Sequence, residues 1–195
     1  MKIINFVVHR KLFVDSLKEI IAGCINNNRS DQYRLYSLFS KKMYGICLRY
    51  ALNEDEANDF LQEGFIKVFE KLDSFRWQGS FEGWITRIMV NTAVEKIRQR
   101  VHFFPIDEFG ENGSSNYENL GPGNVEIFEL LKMIQRLPER YRLVFNLAAI
   151  EGFDHKEIAQ MLDIAESSSR SNLTRARSLL QKFLKERTSV VGKAI

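Results

Sequence analysis

Four aromatic residues fall within ten positions, Phe75-Arg76-Trp77-Gln78-Gly79-Ser80-Phe81-Glu82-Gly83-Trp84, and Arg87, Asn91, Lys96, Arg98 and Arg100 follow. Aromatic faces stack on any splayed-out base for about 1–3 kcal/mol each, while arginines track a single-strand backbone. The combination suits capture of unstacked bases, with Arg76, Trp77, Gln78, Ser80, Trp84, Arg87 and Asn91 as the contact set. Phe75, Phe81 and Trp84 would serve equally in a helical core. Trp77, flanked by Arg76, Gln78 and Gly79, is the aromatic expected at the surface.

Just upstream the charge reverses. Glu54, Asp55, Glu56, Asp59, Glu63, Glu70 and Asp73 stand against only Lys67 and Lys71. Such a segment repels DNA and attracts a basic protein surface, so it reads as a docking face for another protein.

A second nucleic-acid signal lies near the C-terminus. Asp154 and Glu157 have the spacing of a capping box, which starts a helix at His155. Ile158, Ala159 and Leu162 share one face of that helix, and the small Ala159 permits close crossing by another. After a turn at Asp163-Ile164-Ala165, Leu173, Ala176, Leu180 and Phe183 make an apolar stripe. Arg170, Asn172, Arg175 and Arg177 are left mostly outward, and Arg170 to Arg187 carries six basic residues and one acid. This is a helix-turn-helix whose second helix can enter a major groove, where arginine reads guanine and asparagine adenine. A basic amphipathic helix with a solvated face is common, so the capped first helix and short turn carry the reading.

These segments need helices to hold them. Apolar residues recur at helical spacing, as in Leu35, Leu38, Phe39, Met43, Ile46, Cys47 and Tyr50, and alternating strand patterns are scarce. The spacing predicts helices at about Val14–Asn26, Asp31–Leu52, Asp55–Leu72 and Phe81–Arg100. In the second half it predicts about Val125–Gln135, Pro138–Ile150, His155–Leu162 and Glu166–Glu186. Between Val101 and Asn124 turn formers dominate, including Pro105, Gly110, Gly113 and Gly121-Pro122-Gly123. The expected fold is all-α: two small helical domains, 14–100 and 125–187, joined by a flexible linker at 101–124, with the helix-turn-helix in the C-terminal one.

The remaining composition excludes several classes. A chain of 195 residues with 45% apolar content fills one large core or two small ones. Its formal charge of +3 says little by itself. Cys24 and Cys47 form no CxxC, and His9, His102 and His155 are scattered, so no metal, cofactor or disulfide framework is expected. The apolar run Ile3 to Val8 is far shorter than the ~18 residues of a membrane span, and a cytoplasmic protein is expected.

The order of these parts resembles the extracytoplasmic-function sigma factors of the bacterial sigma-70 family, over about Leu17–Arg100 and Val125–Glu186. Asp59-Phe60-Leu61-Gln62-Glu63-Gly64-Phe65 is similar to the family's acidic polymerase-binding signature. Phe81-Glu82-Gly83-Trp84-Ile85, with Arg87-Ile88 and Asn91, is similar to its melting helix, and Leu137-Pro138 through Ala176-Arg177 to its second DNA-binding domain. The resemblance implies that Asp59, Gln62 and Glu63 bind core RNA polymerase and that the aromatic loop melts promoter DNA near the −10 element. It implies that Arg170, Ser171, Asn172, Arg175 and Arg177 read the −35 element. It leaves room for an anti-sigma factor as a further partner.

Three positions depart from the family pattern. Asp163 stands where glycine is frequent, although aspartate tolerates left-handed backbone. Ala165 replaces a capping serine. Ser169 replaces a usually apolar residue, which predicts a less firmly packed recognition helix. Two rival readings are a helix-turn-helix regulator acting apart from the polymerase, and an enzyme using His102, Asp107, Glu108 or Glu111. The first leaves the acidic helix and aromatic loop without a task. For the second there is no phosphate loop and no nucleophile beside a base.

Overall fold

The computed structural model describes residues 2–103 and 125–191, with side chains in 14–100 and 129–187. Every regular element among the described residues is helical: α1 Lys2–Ile25, α2 Arg29–Tyr50, α3 Glu54–Lys71, α4 Phe81–Phe103, α5 Val125–Gln135, α6 Glu139–Phe145, α7 His155–Leu162 and α8 Glu166–Val191. A 3-10 turn, Leu72–Ser74, follows α3, and a π-helical turn, Asn146–Ile150, follows α6. None of these helices is long and apolar enough to cross a membrane.

The elements lie where their apolar spacing predicts, with differences at their ends. Helix α1 begins at Lys2 instead of near Val14, and α8 runs on to Val191. Val101, His102 and Phe103, expected to open the linker, continue α4. The rest of that stretch, with Asp107, Glu108 and Glu111, lies outside the described residues. The long helix expected over Pro138–Ile150 changes pitch at Asn146, where the amide of Glu151 reaches back five residues to the Asn146 carbonyl.

Helices α2, α3 and α4 pack on one another, with α1 laid across α2. Leu35, Phe39, Met43 and Ile46 of α2 meet Phe60, Leu61, Phe65 and Val68 of α3 and Ile85, Met89 and Val90 of α4. Gly64 permits the closest approach: a Cβ there would lie 2.2 Å from the sulfur of Met89. In the second group α8 packs on α5, α6 and α7. Met133, Ile134, Leu137, Ala176 and Leu180 form a small core of their own. Leu143, Val144, Leu147, Ile158 and Leu173 instead join the core of the first four helices.

Candidate nucleic-acid and polymerase interfaces

The aromatic loop between the 3-10 turn and α4 is a wall with one ring left outside. Phe75 and Phe81 are buried and meet edge to face at 5.1 Å, and Trp84, half-buried, stacks on Phe81 at 5.5 Å. Phe81 is therefore a core residue. Trp77 keeps 39% of its surface exposed while its ring leans on Phe75 at 5.0 Å. On the α1 side, the Lys18 ammonium lies 5.7 Å from the Trp77 ring. Trp77 has a left-handed backbone, φ 58°, in which a bulky residue costs about 1–3 kcal/mol and persists only where its surroundings enforce it.

Arg76, Gln78 and Ser80 flank Trp77 and are exposed. The Ser80 hydroxyl accepts from the Gly83 amide at 3.0 Å, so this residue also caps the start of α4. Arg87 and Asn91 are exposed on α4, one turn apart. Arg87 is also half of a contact invisible in the sequence: its guanidinium lies 5.7 Å from the ring of Phe153, in the second helical group.

On α3, Asp59 and Gln62 are exposed. Glu63 is tied down, 3.5 Å from Lys67 and 3.2 Å from Lys96 of α4. The hydrogen bond from Lys96, with the charges of both lysines, holds its carboxyl below the usual glutamate range against the opposing effect of desolvation. Glu56, counted from the sequence among the outward acids, pairs with Arg100. The free acidic surface of α3 is thus narrower than composition suggests.

The helix-turn-helix is built as its residues require. Asp154 accepts from the Glu157 amide at 2.8 Å, while the Glu157 carboxylate accepts from the Asp154 amide at 2.9 Å, closing the capping box. Asp163 ends α7 in the left-handed conformation, φ 54° and ψ 52°, the geometry for which glycine would be frequent. Ser169 corrects a sequence expectation. Its side chain is fully buried, and its hydroxyl meets Nδ1 of His155 at 2.9 Å, so a polar pair fastens α8 to α7 where an apolar contact would otherwise serve.

With Ser169, Leu173, Ala176 and Leu180 inward, the middle of the outer face of α8 falls to Ser171, Thr174 and Ser178. Arg170 and Arg177 are exposed on one flank. On the other, Arg175 is exposed and donates to the Tyr141 hydroxyl at 3.4 Å, and Asn172 is half-buried. Arg170 also pairs with Glu166 one turn earlier. Thr174 and Ser178, outside the contact set read from the sequence, lie on this outer face, as their spacing from the buried stripe requires.

Among the described residues, no group of three or more His, Cys, Asp or Glu side chains converges as a metal site. The fold defines a DNA-binding protein of the helix-turn-helix class. Family models extend this: Sigma-70 region 2 matches residues 35–102, and Sigma-70, region 4 matches residues 127–180. The ECF RNA polymerase sigma-E factor of Escherichia coli (strain K12) is 30% identical over 154 residues, covering 73% of this chain and 80% of that protein. The ECF RNA polymerase sigma factor SigW of Bacillus subtilis (strain 168) is 29% identical over 164 residues, covering 78% and 88% respectively. In fold, the chain is similar to the sigma factor RpoE solved in complex with the anti-sigma factor NepR from Bartonella quintana. That match has a TM-score of 0.51 and 21% identity over 80% of this chain and 97% of the other.

The chain belongs to the extracytoplasmic-function RNA polymerase sigma factors of the sigma-70 family, and its function is that of a sigma factor in transcription initiation. Sigma factors work on core RNA polymerase and promoter DNA and are in general regulatory DNA-binding proteins rather than enzymes.

Proposed function

We propose that this sigma factor recruits polymerase through α3, captures the melted −10 element at the aromatic loop and α4, and reads the −35 duplex with α8. Residues 14–100 form the first working unit and residues 125–187 the second. Asp59 and Gln62, exposed on α3, with Glu63 beside them, make the polymerase contact. Arg170, Ser171, Asn172, Arg175 and Arg177 meet the duplex, joined by Thr174 and Ser178. The chain acts by binding alone, in the cytoplasm. An anti-sigma factor, the partner named for the Bartonella quintana protein, is a further partner here.

The observation that carries this reading is the placement of Trp77. It is a partly exposed ring held in a costly backbone conformation on a buried aromatic wall, with the exposed Arg76 and Gln78 on either side of it in the chain. Such a platform takes a base only after the strands part. Holoenzyme carrying Trp77→Ala should form closed complexes normally but open poorly, losing about 1–3 kcal/mol for one stacked base. Permanganate footprinting of unpaired thymines, repeated on a template with a pre-melted bubble, reads this directly. Arg175→Ala should instead weaken promoter binding while leaving melting of a bound promoter nearly normal. Wild-type opening by Trp77→Ala would reduce the loop to core packing.

A further inference from the structure

Helix α1 supplies none of the contacts read from the sequence, yet it brings a charge to the aromatic loop. Leu17, Ile20, Ile21 and Cys24 are buried in the first core, and α1 also packs on the 3-10 turn Leu72–Ser74 that leads into the loop. Lys18, next to the buried Leu17, is thereby set with its ammonium 5.7 Å from the centre of the Trp77 ring. An ammonium this close to an indole is attracted by the negative face of the ring, weakly where water reaches both. The Lys18 side chain is 54% exposed, and the carboxylate of Asp15 stands 3.6 Å away, beyond hydrogen-bonding distance. By contrast Lys42 is bound to Glu82 of α4 at 2.5 Å, and Lys67 and Lys96 are bound to Glu63. Lys18 is thus the lysine of this group with a charge to offer an incoming anion.

We infer that Lys18 is part of the single-strand interface, where it takes a phosphate of the nucleotide whose base stacks on Trp77. This role for Lys18 rests on the reading of Trp77 as a base platform given above. A nucleotide joins a flat π face to an anion through one sugar, so a site that stacks the base must meet a phosphate close by. Single-strand sites pair aromatic platforms with cations for that reason. A phosphate is also the stronger partner, since its hydrogen bonds with an ammonium are charge-assisted at both ends. The flexible four-carbon stem of lysine lets the ammonium pass from ring to phosphate without any shift of α1. Until DNA arrives, the ring holds the cation beside the place where it is needed. Arg76, exposed, supplies a charge from the loop itself, and Lys18 supplies one from a separate helix.

The test titrates holoenzyme, assembled from the full chain, with a fluorescein-labelled promoter carrying a pre-melted −10 bubble, over a series of salt concentrations. Lys18→Met keeps an unbranched apolar stem over the ring and removes the charge. A phosphate contact on a single strand adds about 0.7 to the slope of log affinity against log salt. This variant should therefore lose about 0.7 of slope and bind about fivefold more weakly at about 0.1 M salt. Lys18→Arg should keep both readings near wild type. Trp77→Ala should weaken binding with the slope unchanged, because stacking releases no counterion. On the intact duplex, held closed at low temperature, Lys18→Met should bind as wild type does. Wild-type slope and affinity in Lys18→Met, with Trp77→Ala impaired, overturn the role of Lys18 and leave the platform standing. A loss of affinity without loss of slope reduces Lys18 to packing on the ring. An equal loss of slope on the closed duplex overturns the single-strand assignment. Wild-type binding of the bubble by Trp77→Ala overturns the platform, and the pairing of Lys18 with it.

Discussion

Replacing Ser169 by alanine removes one oxygen from a fully buried position and leaves Nδ1 of His155 without its 2.9 Å partner. A neutral hydrogen bond contributes a net ~0.5–1.5 kcal/mol, and an abandoned buried partner costs about 1–3 kcal/mol. His155 is only half-buried, so water reaches its ring in the variant and the loss should fall near the lower figures, about 1 kcal/mol. Urea unfolding of the full chain measures this, and a cycle with His155→Ala isolates the pair from the packing of either side chain. The expected coupling energy is about 1 kcal/mol, with the double variant little worse than the worse single one. Strict additivity of the two substitutions would refute the claim that this bond fastens the recognition helix to α7. Undiminished stability in Ser169→Ala would instead favour the sequence expectation of a less firmly packed recognition helix.

Three further outcomes follow from the packing and the titrating groups. Gly64→Ala drives a Cβ to within 2.2 Å of the fully buried Met89 sulfur. It should cost about 1–3 kcal/mol in thermal unfolding, and Met89→Ala should recover part of the loss; purely additive losses would count against the close crossing. Because the lysines lower the Glu63 carboxyl in the native state, the stability it contributes is complete above the usual glutamate range and fades as pH falls through the depressed value. The difference between wild type and Glu63→Gln, small and salt-sensitive for so exposed a pair, should be present at about pH 7 and shrink as pH falls below the usual glutamate range; a gap independent of pH would exclude it. Burial pushes the Cys47 thiol up to about 12, so iodoacetamide near neutral pH should spare it in the native chain and alkylate it after unfolding. Rapid native labelling would show that the core around it opens.

Much of the fold and part of the candidate site are legible locally. The apolar spacing of α2 and the Asp154–Glu157 capping box depend on residues three or four apart, and so does the buried stripe of α8. The left-handed turn at Asp163 follows from the residue type and its place after α7. Trp77 is readable as the surface aromatic because polar residues and glycine surround it in the chain. Helix ends were less legible, since the spacing does not register a change of pitch such as the π-helical turn at Asn146.

Composition and periodicity by themselves determine that this chain is helical, which face of each helix turns inward, and where the aromatic, acidic and basic segments lie. Only the tertiary structure decides which inward faces meet. Ser169 is a polar residue at an apolar position until His155 is brought beside it. Phe81 and Trp84 have the same sequence signature, yet one is buried and the other half-exposed. Glu63 and Glu56 look like free surface acids until α4 supplies Lys96 and Arg100. The Arg49–Glu151 pair spans 102 positions, and Arg87 and Phe153 belong to different helical groups. A helix's periodicity records how far each residue lies from water, but it carries no label for the partner that excludes the water, so contacts between distant segments appear only once the chain is folded.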